Sequence, residues 1–329
     1  MKKIKLGVLG VSNHFIKRIV LPLKEQEDIE LKAIASRCSA KASDCAYRFE
    51  VPKSFKDYQS LLNNEEIDAV YIPLPNHLHA EWIKKAASAG KHVLCEKPLC
   101  LNADEVEEVI EHCQKNNVVL MEAFMYKHHP QWIKVRDIVR TNNIGTIRYI
   151  NTSFSYNNPT ATNIRNIKEY GGGGMRDIGC YAISVARFLL EKEPKQVIGL
   201  LDYHSEFGTD ILSTAILDFG KARATFNVST SANAFQKVDI VGSAGRITVH
   251  LPFNTYTDVI ARVTVDTAIG EREIHFKPKD QYGMMLADFA RMIRSEESVS
   301  KEEEDAYLNQ KVIDAVIKSA DSGIWEPVN

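Results

Sequence analysis

The chain has almost no net charge. Its 41 lysines and arginines stand against 43 aspartates and glutamates, which leaves −2 over 329 residues. No basic field is available to hold a nucleic acid, and no single-sign block reads as an interaction tail. Long apolar runs are missing too: nothing approaches the roughly 18 residues of a membrane span. The opening MKKIKLGVLG carries the two lysines of an export signal. Its apolar part is short, however, and runs into a glycine turn instead of a cleavage site. The expectation is a soluble, cytoplasmic protein with neither nucleic-acid nor membrane partners. The six cysteines (Cys38, Cys45, Cys95, Cys100, Cys113 and Cys180) include no C-x-x-C pair. Without an export signal they are expected as reduced thiols, mostly small buried hydrophobes. No histidine spacing such as H-E-x-x-H suggests a metal site. Internal repeats and low-complexity linkers are also absent.

What is present is globular in proportion. Hydrophobic residues make up 44% and charged residues 26%, enough for one or two cored domains at this length. In the first half, strand and helix alternate. Strand patterns at 3–9, 30–35, 69–73, 91–94 and 118–121 are separated by helical patterns running to Lys24, then over 39–49, 55–62, 78–89 and 102–116. Such alternation with short connections predicts an α/β fold with a doubly wound parallel sheet. In such sheets a ligand lies beyond the carboxyl ends of the strands. Those ends carry Gly7 to Ser12, then Ser36-Arg37, then Pro73-Leu74-Pro75-Asn76-His77-Leu78-His79, then Glu96-Lys97-Pro98.

The glycine turn is an imperfect dinucleotide fingerprint. Gly10 allows the tight turn and Ser12 allows close approach to a pyrophosphate, with Asn13 beside them, but Phe15 is large where helix and strand should pack closely. At the end of the second strand, the acid that usually binds the ribose hydroxyls of NAD is replaced by Ser36 and Arg37. Arg37 can pair with a 2′-phosphate. The cofactor expected is therefore NADP(H), with NAD(H) less favoured.

The triplet Glu96-Lys97-Pro98 follows P-N-x-x-H by about 20 residues. MEAFMYKHHPQW stands at 121–132 and EYGGGGMRDIGCYAISVARFLL at 169–190. In order and spacing, these motifs resemble the Gfo/Idh/MocA oxidoreductases along essentially the whole chain. The resemblance implies that Lys97 hydrogen-bonds the reacting oxygen of the substrate, and an ammonium suits negative charge developing there. It also implies a peptide before Pro98 that is often cis. Asp177 and Tyr181, four apart at a predicted helix start, project together. Many family members carry histidine at the second position. Tyrosine places this chain near the branch of glucose–fructose oxidoreductase, dimeric dihydrodiol dehydrogenase, NADP-dependent xylose dehydrogenase and deoxysugar ketoreductases. A phenol there can act as general acid–base, with Asp177 orienting substrate or holding Lys97. Pro73, Asn76, His79 and Glu96 join the implied cofactor pocket, His79 as a pocket or structural residue. Lys127, Arg165 and Tyr282 are candidates for substrate contact.

From about residue 123 the pattern changes to many alternating segments, which predicts a large, mostly antiparallel open sheet with helices on one face. EEED at 302–305 reads as an acidic helix start. The expected division is 1–122, an NAD(P)-binding Rossmann-like domain, and 123–329, an α+β domain for substrate binding and oligomerisation. A sheet with one uncovered face agrees with the dimers or tetramers that the resemblance implies. The function expected is hydride transfer between NADP(H) and a secondary alcohol or ketone of a sugar-like molecule. A non-catalytic dinucleotide sensor and an NAD-dependent glycosidase without net redox are the alternatives.

Overall fold

The computed structural model describes residues 2–295 and 299–328. It divides into two compact units, one of Met1–Met125 with Gln281–Tyr307, the other of Tyr126–Asp280 with Leu308–Asn329.

The first unit is built on six parallel strands: β1 (Ile4–Leu9), β2 (Ile29–Ala35), β3 (Lys53–Phe55), β4 (Ala69–Ile72), β5 (His92–Cys95) and β6 (Leu120–Glu122), in the order β3-β2-β1-β4-β5-β6. The order reverses direction between β1 and β4, which makes the switch point where such sheets bind ligands. β4 reads AVYI and is buried at every position, as expected of a strand covered on both faces. Two details differ from the sequence expectation. Residues 55–62 are not one helix: Lys53–Phe55 is a strand, and the helix Tyr58–Leu62 begins only after Asp57, whose Oδ1 accepts from Ser60 N at 2.7 Å. A three-residue strand is too short to show alternation. The first helix is not α-helical throughout either. It opens as a π turn, Phe15–Ile19, before the α-helical Val20–Lys24.

The second unit carries nine strands: β7 (Ile147–Asn157), β8 (Gln196–Tyr203), β9 (Asp210–Asp218), β10 (Arg223–Ser229), β11 (Ser231–Gly242), β12 (Gly245–Val249), β13 (Ala261–Thr267), β14 (Gly270–Phe276) and β15 (Glu326–Pro327). Their order is β14-β13-β12-β11-β7-β10-β9-β8-β15. Among the described residues its strand pairings are antiparallel except that of β10 with β7. On β7 the even positions Ile150, Thr152 and Phe154 are buried, and Tyr149 and Asn151 are exposed. The inner face packs on the helix Cys180–Leu190, buried continuously from Cys180 to Arg187. The outer face is polar in its middle, where Thr225 Oγ1 donates to Asn151 Oδ1 at 2.5 Å and Thr214 Oγ1 to Asn227 Oδ1 at 2.7 Å. Towards β14 it becomes charged, with Arg246 on Asp266 at 3.0 Å and a groove of about 310 Å³ beside them. Among the described residues no helix is long and apolar enough to cross a membrane, and no His/Cys/Asp/Glu group has metal-binding geometry. All six cysteines are free thiols, and only Cys38 is exposed.

Candidate active site

In the first unit the strand ends form the site. Gly10 sits just past β1 with φ +119°, and a Cβ there would come 2.9 Å from Leu74 Cδ2; only glycine gives this turn without strain. Its N–H donates to Ala35 O at 2.9 Å, tying the turn to the end of β2. Ser12 Oγ accepts from Phe15 N at 3.0 Å, and Asn13 beside it is exposed. Phe15, the first residue of the π turn, is fully buried with its ring 6.4 Å from that of Tyr71. At the end of β2, Ser36 is buried and its Oγ accepts from Cys38 N at 3.2 Å, while Arg37 is exposed. Burial raises the Tyr58 phenol, and the Arg37 guanidinium beside it pulls in the other direction. Tyr58 therefore belongs to this corner. The sequence reading missed it because it lies 21 residues downstream in an unremarkable helix.

The end of β5 is held from several sides. The peptide between Lys97 and Pro98 is cis. Leu99 N donates to Glu122 Oε1 at 2.8 Å. His79 is fully buried, with Nδ1 3.0 Å from Pro98 O and Nε2 2.9 Å from Leu74 O. Burial lowers its pKa, against the pull of those carbonyls. Each ring nitrogen lies within hydrogen-bonding distance of a backbone carbonyl, and the one that carries the proton donates, so His79 ties the loop after β4 to the turn after Lys97. Glu96 is likewise engaged by the protein. Its Oε1 accepts from Tyr71 Oη at 2.6 Å and lies 3.3 Å from His14 Nε2. Burial alone would raise this carboxyl; the charge and hydrogen bonding of His14, the Tyr71 hydroxyl and the Lys97 charge outweigh it and hold the pKa at about 2. Burial and the Glu96 charge push the Tyr71 phenol well above its ordinary value, so it stays a donor. Tyr282, expected at the substrate, lies in this unit at 6% exposure, edge-on to His14 with ring centroids 5.5 Å apart. His14 and Tyr71 were not singled out from the sequence; each reads there as an ordinary helix or strand residue. Pro73 is buried, and Asn76 opens a short 3₁₀ turn, Asn76–Leu78.

In the second unit the glycine run leads into a π turn, Met175–Gly179, and then the α-helix Cys180–Leu190. Buried Asp210 anchors this start: it accepts from Met175 N at 2.6 Å and from Ser213 Oγ at 2.5 Å. Gly173 has φ +118°, and a Cβ there would strike Asp210 Oδ1. Asp177 lies in the π turn and Tyr181 in the following helix. Tyr181 is 5% exposed, its ring centroid 5.1 Å from Phe253 and 5.9 Å from both Phe154 and Tyr126. The Asp177 carboxylate accepts from Arg165 Nε at 2.9 Å on Oδ1, and Oδ2 accepts from the Tyr156 hydroxyl. Arg165, expected at the substrate, is thus an Asp177 partner. Tyr156 was missed: nothing in a strand tyrosine 21 residues before Asp177 signals that contact. Lys127 lies in a short 3₁₀ turn, Met125–His128, and is half-buried.

Residues 4–124 match the model of an oxidoreductase family with an NAD-binding Rossmann fold, and residues 132–248 match the GFO/IDH/MocA C-terminal domain. The chain is 36% identical to an uncharacterized oxidoreductase of Rhizobium meliloti, covering 100% of each chain. It is 34% identical to a D-xylose 1-dehydrogenase (NADP(+)) of Haloferax volcanii, over 96% of this chain and 97% of that one. Among solved structures it is similar to a 3-ketoreductase from Actinomadura kijaniata in complex with NADP and TDP-benzene. That match has a TM-score of 0.92 at 29% identity and covers 97% of this chain and 98% of the other. The same ketoreductase has been solved with a lysine replaced and with a tyrosine replaced. Those two positions are as far apart in its chain as Lys97 and Tyr181 are here.

Proposed function

The chain belongs to the Gfo/Idh/MocA oxidoreductase family, and from that premise we propose that it is an NADP(H)-dependent oxidoreductase acting on a secondary alcohol or ketone of a sugar or sugar-like substrate. The observation that carries the reading is the presence in one chain of a lysine just past β5 and of an aspartate and a tyrosine at one helix start. The matching lysine–tyrosine separation in the ketoreductase supports it.

The first unit fits a dinucleotide. Gly10 makes the tight turn at φ +119°, where a Cβ would strike Leu74, and the end of β2 offers Arg37 with no carboxylate. Gly10, Ser12 and Asn13 would hold the pyrophosphate. Arg37, supported by Tyr58, would take the 2′-phosphate, with Ser36 beneath and Pro73 and Asn76 along the wall. NADP(H), when bound, supplies or accepts the hydride. Lys97 donates a hydrogen bond to the reacting oxygen and stabilises negative charge there. Tyr181 gives that oxygen a proton in reduction and takes it in oxidation. Asp177 orients substrate or the lysine. Lys127 and Arg165 contribute to binding the remaining hydroxyls, and Tyr282 supports the first unit's side through His14.

Residues 1–122 would then form the NAD(P)-binding domain and 123–329 the substrate-binding and oligomerisation domain. The polar and charged outer face of the nine-stranded sheet also carries exposed Leu200, Leu212 and Phe235. It would join copies into a homodimer or homotetramer in the cytoplasm.

The test is absorbance at the nicotinamide band with purified protein. NADP⁺ is offered with D-xylose and other aldoses, and NADPH with keto-deoxysugar nucleotides. A substrate-dependent change in the NADP(H) signal is expected. Tight cofactor binding with no turnover of any such compound would leave a dinucleotide sensor. Sugar release without net change would leave a glycosidase.

A further inference from the structure

The strand β7 supports both functional side chains of the second unit from one face. Side chains two apart on a strand share a face. Phe154 and Tyr156 therefore point to the same inner side, where Phe154 is 6% exposed and packs against the Tyr181 ring. Two residues on, the Tyr156 hydroxyl donates to Asp177 Oδ2. The opposite oxygen, Oδ1, takes the Arg165 Nε at 2.9 Å. We propose that Tyr156 is a positioning residue of the reaction: its hydroxyl, with the Arg165 guanidinium, fixes the Asp177 carboxylate in one orientation and keeps it ionised. The inference rests on the catalytic reading of Asp177 and Tyr181 given above.

The chemistry follows from the donor set. A carboxylate has about four acceptor sites. One on each oxygen is taken by Tyr156 and Arg165, which fixes the plane of the group. Hydrogen bonds to the charged form favour that form. A carboxylate so held is an acceptor for a substrate hydroxyl or an ammonium, not a proton donor. The phenol suits its part. Burial, then the Asp177 charge, raises it beyond its ordinary range, and the Arg165 charge only partly offsets them, with Asp210 adding to the rise. Tyr156 thus stays protonated and can only donate to Asp177. Of the two tyrosines facing this site, it is the one that does not transfer the proton.

Tyr156→Phe keeps the ring and its packing and removes only the hydroxyl. With the sugar substrate and NADP(H) found in the redox assay, kcat should fall about tenfold or more, the scale of a lost hydrogen bond to a charged group. Cofactor Kd and melting temperature should hold. The acid limb of the kcat profile should move to higher pH, because the ionised carboxylate has lost a donor. In an Asp177→Asn background, Tyr156→Phe should cost little more, since the group it acts through has been changed. An unchanged kcat and pH profile in Tyr156→Phe overturns the proposal. So does a full extra tenfold loss in the Asp177→Asn background, because the hydroxyl would then act independently. Lys97→Ala is run in parallel. If it too leaves turnover intact, the failure belongs to the catalytic reading; if it abolishes turnover while Tyr156→Phe changes nothing, only the positioning role falls.

Discussion

The two sheets carry their chemistry in different places, and the reason is how each is covered. The central strands of the first unit are buried, β4 at every position, so mid-strand side chains serve mainly the core. The candidate ligand groups collect at the strand ends: Gly10 and Ser12 after β1, Ser36 and Arg37 after β2, and Glu96 and Lys97 after β5. The nine-stranded sheet of the second unit is mostly antiparallel and packs one face on a helix, so a strand can contribute from its face. There Tyr156 of β7 reaches Asp177 on the helix side. A common device appears in both: the polypeptide enters the functional helix through a π turn, at Phe15–Ile19 in one unit and Met175–Gly179 in the other. Such turns recur at functional sites because they shift the register of one or two side chains within a helix.

The sharpest way to test this contrast is to remove one group from each unit. Lys97→Ala should fold and keep cofactor affinity, since the lysine lies beyond the strand and not in the core. Its kcat should fall by about 10²–10³ or more, the cost of a lost donor to a developing oxyanion. Tyr181→Phe keeps the ring among Phe154, Phe253 and Tyr126 and should lose about 10² in kcat. Single-turnover rates with the redox substrate check both. Near-wild-type chemistry in Lys97→Ala would remove the strand-end half of the comparison; full activity in Tyr181→Phe would return that tyrosine to the aromatic core.

The same contrast decides what was legible in the sequence. Each cluster at a strand end is contiguous along the chain, so Glu96-Lys97-Pro98 and the glycine turn could be read directly, as could the βα alternation that positions them. A site made on a sheet face is dispersed by the period of the strand and by pairing across the chain. Asp177 and Tyr181 were visible because they lie four apart at a glycine-run helix start. Tyr156 was not, because its contact depends on how β7 meets that helix. Arg165 was read as a substrate-facing cation, and the structure adds a partner that spacing along the chain does not show: its Nε donates to Asp177 Oδ1. Glu96 and His79 sit inside the recognisable motifs, yet the structure engages both with protein groups, which no motif spacing could tell. β3 and β15 were too short to carry a pattern.

Acid should act on the second unit through His129. His129 caps the helix Pro130–Arg140 in the second unit: its Nδ1 accepts from Gln131 N at 3.2 Å, and the residue is 1% exposed. Burial pulls its pKa from 6.5 to about 4. The unfolded chain therefore binds the proton first, and the stability from a neutral His129 is present at neutral pH and falls as pH drops from about 6.5 towards 4, by about 2 kcal/mol at most near pH 5. Glu96 in the first unit behaves oppositely in window. Its folded pKa of about 2 lies below the unfolded carboxyl value, so its contribution holds above about 4.5 and is lost only as pH falls from there towards 2. Native-state hydrogen exchange at pH 7 and pH 5 should show protection falling around Pro130–Arg140; buried His79, whose pKa burial also lowers, should add a fall of the same sign in the first unit. His129→Asn supplies a cap oxygen that does not titrate in this range, and should flatten the response around Pro130–Arg140 while leaving that of the first unit. An unchanged response around Pro130–Arg140 in His129→Asn would remove His129 as its cause.

The smallest effect expected is at Arg37, and it tests whether a strand-end residue can set specificity without touching the fold. Arg37 is exposed just past β2. Its backbone makes none of the ladder contacts, and truncating it opens no cavity. The neighbouring position, Ser36, is buried and bonded to Cys38 N, so the loop keeps its course without the guanidinium. Arg37→Ala should therefore leave melting temperature unchanged to within about 0.5 kcal/mol of stability. What it removes is one positive charge able to pair a 2′-phosphate, an interaction made by NADP(H) and not by NAD(H). The preference for NADP(H) should drop roughly tenfold, the scale of one partly solvated charge-assisted hydrogen bond, with NAD(H) affinity nearly constant. The wild-type preference should also weaken as salt rises, because the site is open to screening, and the variant should lose most of that dependence. Titration of both cofactors against both proteins at low and high ionic strength measures all of this. A wild type that prefers NAD(H), or a variant with its preference intact, would mean that the end of β2 does not select the cofactor. Equal losses for NADP(H) and NAD(H) would make Arg37 a partner of the adenine or pyrophosphate that both share.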